Sequence, residues 1–365
     1  MDFIPIIKPY IGQEEADLLM ETIKDNWITG GKKVAEFEKR IGELTQSKYA
    51  IAASNGTMAL FMALKAMGIK DGDEVIVPDF TFIASANAVI LAGGIPVFCD
   101  INPQTFNLDI TSVKKVMTPK TKAIMPVHIY GLSADMSSIL SFAIDNNLLV
   151  IEDAAQGVGV KYKGHPVGAL GDVGTLSFYG DKIICSGEGG MVLTNNPEIA
   201  DKALMLKHQG RRNRGVYLHE EIGYNFRITD MQAAIGLAQL NKLPFIIQRR
   251  KDIEARYRDN FKNTYGIHLP FKNMSGFNVP FRCNVLLSEP QKLMDFLKTC
   301  NIASVRFFYP LHRQPCYAYM GLKDKDFSNS IWAYEHGLSL PSFTGLTDGQ
   351  VDYICEVIKR FVAIR

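Results

Sequence analysis

Over the first two hundred residues, short apolar runs alternate with stretches whose apolar positions recur at helical spacing. Residues 11–24 place Ala16, Leu18, Leu19 and Ile23 at that spacing, with Glu14 and Glu15 in the first turn, and residues 34–44 are amphipathic in the same way. Both read as helices. Apolar runs from Tyr49, over E-V-I-V-P, at Pro96 to Cys99, at Ala123 to Ile129, at Leu148 to Gln156 and at Val173 to Leu176 read as buried strands, and Met191 to Leu193 as a further short one. Strands alternating with helices indicate an α/β fold with a mostly parallel sheet covered on both faces. No period of 20–50 residues recurs.

The pattern changes after about residue 205. K-H-Q-G-R-R-N-R-G-V-Y-L-H-E-E-I is polar, basic and glycine-containing, so it reads as an exposed loop whose Arg211, Arg212 and Arg214 either stay solvated or meet phosphates. A helix from about Thr229 leads into a charged helix from Pro244 to Asn260, and short strands and helices follow around F-N-V-P-F-R-C-N-V, Gln291 to Cys300 and Asp348 to Val362. The expected division is a large α/β domain over 1–245 and a smaller α+β domain over 246–365.

Composition narrows the classes. With 365 residues, 47% hydrophobic and 21% charged, the chain has the make-up of a large globular protein. A net charge of +2 gives no basic stripe for nucleic acid. No apolar window long enough for a membrane span and no secretory leader stand out, so a cytoplasmic location is expected. Six cysteines without a C-x-x-C pair read as reduced thiols, Cys185 as packing, and the seven histidines lack metal-ligand spacing, so no metal is expected.

The chemistry centres on S-F-Y-G-D-K-I-I-C-S-G-E-G-G, residues 177–190, where Lys182 stands between an aromatic run and a glycine cluster. It is either a surface charge or a lysine whose amine attacks a carbonyl carbon. Ser177 ends an apolar run, where phosphates are commonly held, and Gly187, Gly189 and Gly190 permit close backbone approach. Earlier, a strand meets S-N-G-T and continues as a helix, leaving Gly56 and Thr57 at a helix N-terminus that is either an anion site or a plain cap. Phe82 opens another helix and reads as core or as a ring cover. In L-V-I-E-D-A-A-Q a carboxylate ends a strand, the end at which open α/β sheets bind ligands. W-I-T-G-G-K-K, at Trp27 to Lys33, reads as a connector or a loop over a ligand. An aldehyde cofactor such as pyridoxal phosphate requires a lysine, a phosphate turn, an acid under the pyridine nitrogen and an aromatic cover. Lys182, Gly56 with Thr57, Asp153 and Phe82 supply these.

The motifs S-N-G-T-M-A-L, V-P-D-F-T-F-I-A-S-A-N-A, I-E-D-A-A-Q, S-F-Y-G-D-K-I-I-C-S-G-E-G-G and G-Y-N-F-R-I-T-D-M-Q-A-A-I-G together resemble the DegT/DnrJ/EryC1/StrS family of sugar aminotransferases, over nearly the whole chain. The resemblance implies the fold type I, aspartate aminotransferase-like architecture and pyridoxal 5'-phosphate as cofactor. It implies that Lys182 bonds the cofactor and moves protons, Asp153 pairs with the pyridine nitrogen and Gln156 with the ring hydroxyl. Gly56, Thr57 and Ser177 hold the phosphate, Phe82 stacks on the ring, and Asn225 reaches the phosphate from the other subunit of a homodimer with shared active sites. Tyr309 and His312, in F-F-Y-P-L-H, are implied substrate contacts. The implied reaction moves an amine from L-glutamate to the ketone of a nucleotide-linked 4-keto-6-deoxy sugar. Two departures concern the substrate: Val305 stands where near relatives carry arginine, with Arg306 one place later, and F-N-V-P-F-R-C replaces a more aromatic pattern. The other readings are a fold type I enzyme acting on an amino acid and a regulatory cofactor-binding protein.

Overall fold

The structure is a computed structural model and describes residues 2–212, 215–271 and 276–363. Its centre is a seven-stranded sheet in the order Tyr49–Ala53, Gly190–Thr194, Val173–Ser177, Leu149–Asp153, Thr121–Ile124, Glu74–Pro78, Ile95–Cys99. Only Gly190–Thr194 runs against its neighbours, and the other strands are parallel to one another. Their near-continuous apolar content follows from burial on both faces. In Glu74–Pro78, Ile76 joins a core with Phe37, Ile124 and Val150, whereas Val75 and Val77 join a second core with Leu60, Met62 and Ile151. A strand's period of two sends successive side chains to opposite faces, and here each face has its own helical layer.

The run from Ala123 to Ile129 gives a shorter strand than its composition implies. Regular pairing ends at Ile124, because Pro126 has no N–H to donate. Single contacts continue the line: Met125 N–H donates to the Ile76 carbonyl at 2.8 Å, and Val127 bridges Asp153. Beyond it Tyr130 takes a left-handed conformation at φ 54°.

The two helices expected from Thr229 and from Pro244 are one helix, Asp230–Phe261, 32 residues long with Pro244 inside it. The division at 245 therefore falls in mid-helix. Packing at both ends outweighs the proline: Leu237, Leu240 and Leu243 bury in the core of the large sheet, while Ile253, Tyr257 and Phe261 bury with Val285, Leu338 and Val357 in a core around a three-stranded sheet. That sheet orders Cys283–Leu286, Gly337–Leu340 and Val305–Arg306. At its N-terminus the same helix clamps the loop after Trp27. The Asp230 carboxylate accepts the N–H groups of Gly31 at 2.7 Å, Val34 at 3.0 Å and Lys33 at 3.3 Å, capping helix Lys32–Thr45. The Trp27 loop is thus fastened to the long helix.

In the loop at 205–222, Arg212 pairs with Asp201 at 3.7 Å and Glu220 at 3.4 Å, and Arg211 lies over the Tyr217 ring. Neither lines the cleft described below, and Arg214 lies outside the described residues.

Candidate active site

The carboxyl ends of the parallel strands open onto one cleft, the position that open α/β sheets offer to ligands. After Tyr49–Ala53 come Asn55, Gly56 and Thr57; after Glu74–Pro78, Thr81 and Phe82; after Leu149–Asp153, Asp153 itself and Gln156; after Val173–Ser177, Ser177, Tyr179, Asp181 and Lys182. The sequence candidates Gly56, Thr57, Phe82, Asp153, Gln156, Ser177 and Lys182 therefore meet in one place although 126 residues separate the first from the last.

One end of the cleft is built for an anion. Asn55 caps helix Gly56–Ala66, its side chain accepting the Met58 N–H at 2.9 Å, and among the described residues the amides of Gly56 and Thr57 have no acceptor. A Cβ on Gly56 would stand 2.8 Å from the Ser177 Cβ and 3.1 Å from its Oγ, so only glycine leaves the serine hydroxyl beside these amides. Gly190 has a similar duty: a Cβ there would meet the Asn55 carbonyl at 2.3 Å. The helix dipole, two free amides and a hydroxyl together favour an anion at this end of the cleft.

The acid lies deeper. Asp153 is buried, with Oδ2 accepting the Ser85 hydroxyl at 2.7 Å and Oδ1 the Ala155 N–H at 3.1 Å. Gln156 Oε1 accepts the Tyr130 N–H at 2.6 Å, which leaves its NH₂ group as a donor. Phe82 is not core: it is 57% exposed at the cleft, edge-on to Phe308 at 6.3 Å. Phe308 in turn stacks on Tyr130 at 5.4 Å.

Lys182 is largely buried. Its Nζ stands 3.3 Å from Asp181 Oδ1 and 4.9 Å from the centre of the Phe281 ring, so it is not a solvated surface charge. Phe281 and Arg282 reach the cleft because their segment is tied from two sides. Val279 and Phe281 N–H groups donate to the Gly131 and Tyr130 carbonyls, and Arg250 of the long helix donates to the Pro280 and Phe281 carbonyls. Ser85 and Tyr130 were not singled out by the sequence, Asp181 carried a signal only as the neighbour of Lys182, and Phe281, Arg282 and Phe308 only as members of the F-N-V-P-F-R-C and F-F-Y-P-L-H stretches expected near the substrate.

The motif over 177–190 thus converges with the phosphate turn and the buried acid on one cleft, an arrangement carried by the full length of the chain. A family model described as the DegT/DnrJ/EryC1/StrS aminotransferase family matches residues 9–359. The chain belongs to this family. It is 40% identical to GDP-perosamine synthase of Escherichia coli O157:H7, over 99% of each chain. Among solved structures it is similar to DesV of S. venezuelae, with a TM-score of 0.95 at 30% identity over 99% of each chain. It is also similar to the PLP-form of the putative sugar aminotransferase Spr1654 from Streptococcus pneumoniae, with a TM-score of 0.93 at 28% identity over 98% of each chain. The fold is that of the fold type I transferases, as the resemblance implied.

Three implied site residues of the family lie elsewhere in this chain. Asn225 is exposed and bridges His208 through its backbone. Tyr309 packs edge-on against Tyr334 at 5.1 Å, outside the cleft lining. The His312 ring is buried, with Nδ1 2.7 Å from Asp79 Oδ2 and Nε2 3.1 Å from Asp324 Oδ1, so it braces the 310–324 segment against the end of strand Glu74–Pro78. The departures also separate. Val305 is on an edge strand and Arg306 is held by the Tyr334 carbonyl and ring, away from the cleft, whereas F-N-V-P-F-R-C places Phe281 and Arg282 in its wall.

Proposed function

We propose that this cleft transfers an amine from L-glutamate to the ketone of a nucleotide-linked 4-keto-6-deoxy sugar, with the GDP-linked sugar of the perosamine synthase branch as the first candidate. Family membership makes the protein a pyridoxal-phosphate-dependent aminotransferase. The observation that carries the assignment to this cleft is the approach of Lys182, Asp153 and the Gly56–Ser177 turn to a single space.

The residues present fit the cofactor. The Gly56 and Thr57 amides and the Ser177 hydroxyl would hold its phosphate, Asp153 its pyridine nitrogen, the Gln156 NH₂ group its ring hydroxyl, and Phe82 would cover its ring. Bound there, pyridoxal phosphate supplies an electron sink for carbon acid chemistry. The chain supplies the rest. Asp153, oriented by the Ser85 hydroxyl, would face the heterocycle, and Phe82 with Phe308 would keep water off one face. Lys182 Nζ, enclosed between Asp181 and Phe281, would be the group that holds and moves a proton there.

The reading extends to assembly and location: a cytoplasmic homodimer in which Asn225 of each chain reaches the other's phosphate seat, feeding amino-sugar synthesis for a surface polysaccharide. The exposure of Asn225 supports it. Among the described residues no helix is long and apolar enough to cross a membrane. The test is spectroscopic. L-Glutamate should bleach the absorbance of the lysine-bound cofactor, and the matching keto sugar among GDP-, UDP- and dTDP-linked 4-keto-6-deoxy sugars should restore it. A band that glutamate leaves unchanged defeats the assignment.

A further inference from the structure

The described residues lining the cleft include three acids, Asp153, Asp181 and Glu188, and two bases, Lys182 and Arg282. In the aminotransferase reading, on which this inference rests, Lys182 is committed to the cofactor. Arg282 is then the one cation in that wall left to meet a substrate anion, and a guanidinium keeps its charge under all working conditions.

Arg282 is unusually underused for so enclosed a group. Its side chain is 13% exposed, yet among the described residues its guanidinium makes a single hydrogen bond, Nη2–H to Asp181 Oδ2 at 3.2 Å. Its Cζ lies over the Phe281 ring, 4.9 Å from the ring centre. Its other N–H donors have no protein acceptor among the described residues, and they line the open cleft, where a ligand acceptor can reach them. Burial holds the group below its ordinary pKa, only partly opposed by Asp181, in keeping with that deficit.

We propose that Arg282 is the carboxylate-recognising residue for the amino donor, binding the side-chain carboxylate of L-glutamate through its fork of N–H groups. The Asp181 carboxylate sets the scale. One oxygen is 3.3 Å from Lys182 Nζ and the other 3.2 Å from Arg282 Nη2, so the guanidinium lies one carboxylate away from the reacting amine. A donor whose amino group is beside Lys182 brings its side-chain carboxylate to Arg282, where it displaces Asp181. The nucleotide sugar also carries an anion, its diphosphate. The donor's carboxylate is favoured because Arg282 already holds a carboxylate at rest through one N–H, which leaves the rest of its fork to pair with a second carboxylate.

The decisive experiment titrates the holoenzyme calorimetrically with two unreactive probes, glutarate for the dicarboxylate and GDP for the diphosphate. Arg282→Gln should weaken glutarate by about tenfold or more, the loss of a charge-assisted hydrogen bond. GDP binding should stay unchanged, and Arg282→Lys should recover part of the glutarate loss. In the glutamate half-reaction the same variant should raise KM with kcat retained and lose its preference for L-glutamate over L-glutamine by a similar factor. Asp181→Asn, which removes the resting competitor, should tighten glutarate and gives a second reading if Arg282→Gln folds poorly. Unchanged glutarate binding in Arg282→Gln, or a larger loss for GDP than for glutarate, overturns the proposal. So does a failure of Asp181→Asn to tighten glutarate. If wild-type cofactor is not bleached by glutamate while glutarate still binds through Arg282, the aminotransferase assignment fails and the carboxylate site stands.

Discussion

The Ser85 hydroxyl donates to Asp153 Oδ2 at 2.7 Å, joining residues 68 positions apart in the chain. Ser85 lies in the first turn of helix Ala84–Leu91 and Asp153 ends strand Leu149–Asp153, so the bond fixes the acid from the βα turn of the strand two places away in the sheet. A hydrogen bond to a charged group contributes about 1.5–3 kcal/mol. Ser85→Ala is therefore expected to weaken pyridoxal phosphate binding by about tenfold with the fold retained, as read by absorbance titration. Asp153→Asn should lose more, because it removes the charge itself. Equal affinity in Ser85→Ala and wild type would show that the acid is held by its backbone alone.

Gly56→Ala tests the phosphate seat. The added methyl would stand 2.8 Å from the Ser177 Cβ, inside contact distance, and must push the strand end or the helix start aside. A lower melting temperature is expected in the apo protein, and the additional stabilisation that cofactor gives wild type should shrink or vanish. Thermal denaturation with and without pyridoxal phosphate separates the two effects. A variant stabilised by cofactor as strongly as wild type would place the phosphate elsewhere.

The His312–Asp79 pair gives a pH signature. Burial alone would lower the His312 pKa, but hydrogen bonds and charge from Asp79 and Asp324 outweigh it and raise it above the ordinary 6.5. Burial also raises Asp79, against the pull of His312. In both groups the folded chain holds protons that the unfolded chain gives up. The stabilisation from His312 is therefore fully present below about pH 6.5 and is lost as the pH rises through its raised value. Denaturant melts of wild type and His312→Gln should differ most near pH 6 and converge toward alkaline pH. A difference that grew with pH would contradict the charge state.

Asp230→Ala should destabilise the fold by about 1–3 kcal/mol, since three backbone donors of the Gly31–Val34 turn lose their acceptor. Chemical denaturation measures it. Protection of the Trp27 loop against hydrogen exchange should fall with it, and unchanged protection would mean that the loop is held by other contacts.

The parts of the site that were legible are those whose chemistry is written locally. A strand ending in S-N-G-T before a helix specifies a cap and free amides, and an apolar run ending in E-D specifies an acid at a strand end. Lys182 stood out because glycines and aromatics on either side are wasteful in a solvated loop. Phe82 stayed ambiguous, since a phenylalanine after a strand has the same local pattern in a core or over a cleft. Pro244 misled for a related reason: proline lowers helix propensity wherever it stands, and the packing of both ends of helix Asp230–Phe261 against two different cores is a long-range fact.

The order of apolar runs and helical periods along this chain was enough to determine a parallel α/β sheet, the places where its strands end, and the lysine, acid and glycine turn that gather there, because backbone burial and periodicity act over a few residues. Tertiary structure alone decided that Ser85 steadies Asp153, that His312 is occupied by Asp79 and Asp324, and that Phe281 and Arg282 come from the far part of the chain to face Lys182. Each of those is a side-chain pairing across tens to hundreds of residues, and such pairings exist only once the sheet, the long helix and the segment tied to Tyr130 have packed.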